Sequence, residues 1–260
     1  MQASGSSLGG VIFPILTEKV IERSGFGWAL RASSFLILGL QIYANLTVKS
    51  RLPPTRTPWR ILDFLKPYLE MPFLLTVLAS FFFFFGMFLP FTFIILSAEY
   101  NGMSARLAGY LLAILNAVSI FGRILPGFIA DRLGRYNAMI VTSFLSTIVV
   151  FALWLPARGN VAFIFFAAVY GFSSGAFVSL APALIAQISD IRQIGVRTGS
   201  MFMVISIAAL VGNPIGGQLI IEDRGRYTHL QIFCGVVMAA GSCVFVAARA
   251  SLAGFQLIKV

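Results

Sequence analysis

Long apolar runs, each near the ~20 residues that cross a hydrocarbon core, decide what this chain can fold into. Eight are readable, at about 3–21, 28–48, 71–97, 106–130, 137–156, 161–187, 198–221 and 229–250. The first is the poorest, because only Leu8–Leu16 is strongly apolar and Glu18 and Lys19 follow. The residues are 58% hydrophobic and only 11% charged, where soluble domains carry about 25% charged residues. No aqueous fold could hide such a surface. The expectation is an all-α polytopic membrane protein of about eight transmembrane helices, with the lipid bilayer as its main partner.

Composition and motifs exclude other classes. The net charge of +10 reads as loop charge rather than a nucleic-acid footprint, since no basic patch is interleaved with aromatics outside the runs. An enzyme needs a nucleophile–base pair, a metal cluster or paired carboxylates. Here His229 is the single histidine, at the start of the last run, and Glu99 and Asp131 sit at run ends. Cys234 and Cys243 share one apolar run and have no metal-ligand spacing. The reading is no enzyme, no cofactor and no metal.

Loop charge sets orientation. The side carrying residues 49–70, 131–136, 188–197 and the C-terminus holds eleven Lys and Arg residues, and the opposite side holds six. Basic residues collect on the cytosolic side, which places both termini there. The longest loop begins extended, through Pro53, Pro54 and Pro58. Ile61, Phe64, Leu65 and Tyr68 then fall at i, i+3, i+4 and i+7, the pattern of an amphipathic segment able to lie among headgroups. The chain divides into 1–48 (two spans), a cytosolic linker over 49–70, and 71–260 (six spans).

Gly122–Arg135 reads GRILPGFIADRLGR. Its Gly127, Asp131, Arg132, Gly134 and Arg135 resemble the signature loop of the major facilitator superfamily of secondary transporters. Tyr136 stands where a final basic residue is usual. Such proteins are built from two parallel six-helix repeats. Six spans after the linker match one complete half, and two before it match the end of the preceding half. Leu8–Ile12 and Ile215–Leu219 echo one another at equivalent helices. Ala3–Pro14, Gly25–Arg31 and Leu52–Pro54 are similar to the fungal monocarboxylate-porter branch. The resemblance starts at the fifth of twelve helices, so it implies an N-terminally truncated chain.

The resemblance implies a transporter of small, anionic organic molecules or metabolites. It would work by alternating access in a plasma, vacuolar or organellar membrane. The alternative is a truncated or non-transporting membrane protein that associates with another chain supplying the missing helices. In the branch, anion chemistry is tied to an arginine with an acid four positions earlier. Arg123 takes the arginine position, and Ser119 stands in place of the acid. An intramembrane arginine costs roughly 2.5–3.5 kcal/mol on insertion scales; it either faces a cavity or snorkels to the interface. Asn116 and Ser119 share its helix face and either line the same cavity or bond a neighbouring helix. These three are the candidate substrate-binding residues. The resemblance implies that Asp131 caps a neighbouring helix and that Arg132 and Arg135 brace the cytosolic gate. The short first span also carries an expectation: an unpaired Asp131, an open-sided site and no transport by the chain alone as a monomer.

Overall fold

In a computed structural model, residues 4–49 and 62–254 are described, and every regular element among them is helical. The linker residues Pro53, Pro54, Pro58 and Ile61 lie outside the described residues. The helices α1 (Ser4–Ser24) and α2 (Phe26–Thr47) precede the linker. A short α3 (Leu62–Leu65), continued by a 3-10 turn over Lys66–Leu69, leads into the main bundle. That bundle contains α4 (Met71–Met87), α5 (Leu89–Tyr100), α6 (Ala105–Leu133), α7 (Arg135–Val149, continued by a π-turn to Trp154), α8 (Gly159–Gln187), α9 (Ile194–Glu222) and α10 (Thr228–Ala253).

Six elements among the described residues are long and apolar enough to cross a membrane, with α4 and α5 counted as one span and mean hydropathy of 1.8 to 2.2. The helices α1 and α2 stand where spans were expected, yet they fall outside this set. The reason is polar content. Glu18, Lys19, Glu22 and Arg23 fill the end of α1, and Arg31, Gln41 and Asn45 punctuate α2. Only Ala29 is buried in α2, which packs chiefly on α1.

The run expected at 71–97 is not one rod. It breaks at Phe88, between α4 and α5. Pro90 has no N–H to give the carbonyl four residues earlier, which is that of Gly86. In lipid an orphaned carbonyl costs several kcal/mol, and here neighbouring helices supply the donors. The Cys234 thiol of α10 donates to Gly86 O at 3.2 Å, and the Tyr170 hydroxyl of α8 donates to Met87 O at 2.8 Å.

Close approach of helices builds the bundle. A Cβ on Gly122 of α6 would lie 2.1 Å from Phe172 O, and one on Gly171 of α8 would lie 2.2 Å from Leu115 O. Only glycine lets these two backbones touch, as small residues do in membrane interfaces. Phe83 of the Phe81–Phe85 run sits in the core against Phe177 (5.0 Å between centroids) and Phe245 (6.4 Å). Packing therefore accounts for the middle of that run.

The linker segment is docked on the protein. Tyr68 Oη donates to Ser200 O at 2.8 Å and Ser200 Oγ donates to Phe64 O at 3.1 Å, tying the segment to α9. Burial raises the Tyr68 phenol above its ordinary pKa, so it stays a neutral donor. Leu62, Leu65 and Leu69 occupy the outer face and remain exposed.

Candidate functional site

The helices α1 and α6 run antiparallel along a polar seam. Ser7 and Ser119 share a buried 2.7 Å hydrogen bond. One turn away, Gly10 lies against the Asn116 amide so closely that a Cβ would come within 2.5 Å of its Oδ1. In the other direction, Arg123 Nη1 donates to Ser6 Oγ. The one-turn spacing of Asn116, Ser119 and Arg123 thus meets the small residues Gly10, Ser7 and Ser6 in reverse order. Bulkier side chains at these α1 positions would hold the helices apart.

Above the seam an open groove of about 660 Å³ runs between α1, α5 and α6. Phe13 and Pro14 from α1, Phe91 from α5 and Leu112 from α6 give it carbon walls. Ser6, Thr92 and Asn116 are its polar side chains, and none of its lining residues is ionisable. Thr92 Oγ1 donates to Phe88 O at 3.3 Å, so the groove lies level with the broken span. Asn116 Nδ2 donates to Leu112 O at 2.9 Å and keeps its second N–H for other partners.

The three candidate binding residues are therefore divided. Asn116 lines the groove. Ser119 is fully buried in the seam, bonded to Ser7 and to Asn116 O. Arg123 lines a second cavity, of about 290 Å³ between α6 and α8, together with Gly127, Asp131 and Arg135. Arg123 lies eight residues, or about 12 Å, before Asp131, the next charged residue on α6. Its bond to Ser6, which lines the groove, is the link between the two cavities.

The signature loop has a local logic. A single residue, Gly134, joins α6 to α7 with φ of 100°, a conformation other residues adopt only under strain. Arg135 Nη1 reaches Ala183 O near the end of α8 at 3.3 Å, and Arg132 is exposed. Asp131 is engaged by a partner, which corrects the expectation that it stands unpaired. Tyr136, in place of a basic residue, is fully buried and shares a 2.8 Å bond with Thr76 of α4. The departure from the usual pattern is thus a tether between α7 and α4.

Sequence reasoning missed two features. One is the pair of donors, Tyr170 and Cys234, at the broken span; Pro90 was the available signal. The other is Arg197, which entered only as a loop charge. Its side chain is 8% exposed and grips Glu70 with both terminal guanidinium nitrogens, Nη1 to Oε2 at 2.8 Å. It also donates to Ile188 O at 3.1 Å and lies over the Phe73 ring at 5.6 Å. His229 is half-exposed at the start of α10, as read from sequence. Beside it Asp223 is buried and caps that helix, accepting from Thr228 N at 3.2 Å and His229 N at 3.4 Å.

The fold resembles that of a fucose:proton symporter of E. coli, with a TM-score of 0.68 over 87% of this chain and 56% of that one, at 16% identity. The chain is 52% identical over 257 residues to "MFS-type transporter 1" of an Ophiocordyceps species, covering 99% of itself and 57% of that protein. It is 40% identical over 260 residues to the "Fujikurins efflux protein" of Gibberella fujikuroi, covering 100% of itself and 56% of the relative. It is 41% identical over 248 residues to an "Aspyridones efflux protein" of Emericella nidulans, covering 95% of itself and 50% of the relative. The chain therefore spans little more than half the length of these curated relatives. The Major Facilitator Superfamily profile matches residues 1–189 and 127–256, and this integral membrane protein belongs to that family.

Proposed function

We propose that the chain acts as a secondary transporter of the monocarboxylate-porter type, moving small organic anions or metabolites by alternating access. In this reading α1 and α2 are also spans, making eight. They belong to one half, and α4–α10 form the other. The observation that carries the proposal is the groove where these two parts meet, level with the broken span and joined through Ser6 to Arg123. Transporters built from repeats hold substrates near the midplane, at the repeat interface. The names of the fujikurin and aspyridone relatives support outward movement of a fungal product. Asp131, Arg132 and Arg135 then serve the cytosolic gate. The excess of basic residues in loops 49–70, 131–136 and 188–197 supports cytosolic termini, in the plasma membrane or an organellar one.

Replacing Arg123 by Lys keeps the charge and loses the planar fork, and replacing it by Gln loses both. In vesicles carrying the protein, accumulation of a labelled organic acid should fall in the order wild type, Arg123→Lys, Arg123→Gln, with equal membrane abundance. Unchanged accumulation in the Gln variant would remove Arg123 from substrate handling. Absence of saturable accumulation by the wild type would reject transport.

A further inference from the structure

We infer that the groove receives the apolar body of an amphipathic organic acid, whose acid group reaches past Ser6 toward Arg123. This rests on the transport reading above and narrows its substrate from small organic anions in general to acids with a bulky aromatic or aliphatic body. Three observations converge on it.

The first is size. A groove of about 660 Å³ falls in the ~300–1,000 Å³ range of sites for drug-sized ligands. A carboxylate of two or three carbons would leave most of it to water. The second is chemistry. Phe13, Pro14, Phe91 and Leu112 offer carbon, and Thr92 and Asn116 offer uncharged hydrogen bonds. A compact anion held among them would find no charge to pair with, whereas an apolar body gains by covering their carbon. The third is position. Arg123 lies two turns along α6 from Asn116, yet its Nη1 donates to Ser6 Oγ, and Ser6 lines the groove. The guanidinium therefore stands at the groove's edge, where a molecule with its body against Phe13 and Phe91 can place an acid.

The probe that tests this is 4-benzoylbenzoate, which carries its own photoreactive ketone on an aromatic body. It is irradiated with the 260-residue chain in nanodiscs, and adducts are mapped by mass spectrometry. Adducts are expected within residues 5–14, at Phe91 and Thr92, and within residues 112–116. Arg123→Gln should weaken binding of the acid about tenfold, the worth of one hydrogen bond to a charge. Labelling by the neutral 4-benzoylbenzamide should not change, which also reports an intact groove. A large excess of 2-naphthoate should compete, and the same excess of acetate should not.

Adducts elsewhere, or acetate competing as well as 2-naphthoate, overturn the inference. So does absence of labelling because a second copy or another helix fills the groove. If the Gln variant loses both probes through misfolding, Arg123→Lys is read instead. It should weaken the acid and spare the amide, and equal effects on the two overturn the inference. Saturable uptake of acetate or lactate without groove labelling sinks this inference and leaves transport standing. Groove labelling without vectorial uptake does the reverse.

Discussion

Arg197 and Glu70 form an unequal ion pair, and the inequality decides which member matters. Arg197 is 8% exposed in its side chain while Glu70 is 50% exposed. Removing the acid strands a buried cation, whereas removing the arginine leaves an acid that water can solvate. Glu70→Gln should therefore destabilise the protein by about 1–3 kcal/mol, and Arg197→Met by clearly less, as read from thermal unfolding in detergent. The reverse order would show that the Phe73 ring and Ile188 O, not Glu70, hold the guanidinium. Asp223→Ala should cost about 1 kcal/mol through loss of the cap on α10. Residue type and spacing made Arg123 and the loop from Gly127 to Arg135 legible in the sequence. The partners of these residues were not legible, because Ser6 lies 117 positions from Arg123 and Glu70 lies 127 from Arg197. Local pattern carries no information over such separations.

At the scale of elements, the apolar runs gave the helices α6 to α10 nearly to their ends. What they hid was the break at Phe88. A hydropathy run averages over a proline, and in this one the freed carbonyls are satisfied by distant side chains. Tyr170→Phe keeps the ring that packs against Phe91 at 6.2 Å but leaves Met87 O without its donor. A loss of about 1–3 kcal/mol is expected, larger than that from Cys234→Ala, because a thiol is a weak donor. Equal losses in the two variants would place the stabilisation in packing rather than in the carbonyls. The contact of α6 with α8 should tolerate nothing at Gly122 or Gly171, since each virtual Cβ meets backbone rather than a movable side chain. Gly10 is a milder case: its neighbour is the Asn116 amide, which can turn aside.

For the whole molecule, the charge asymmetry predicts which faces are exposed to which compartment. In a variant lacking native cysteines, a cysteine placed at Lys66 should resist a membrane-impermeant maleimide applied to intact cells, while one at Arg224 should react. Labelling at Lys66 from outside would invert the orientation. The break at Phe88 has a kinetic consequence as well. Cys234 is fully buried with its thiol donating to the carbonyl of Gly86, while Cys243 is exposed. Whenever the Gly86 end of α4 moves away from α10, that thiol is released. A membrane-permeant alkylating reagent should therefore react in two phases, fast at Cys243 and slow at Cys234. The slow rate then counts how often the joint opens, and Tyr170→Phe should raise it. The protein carries its own clock for the motion that transport would require.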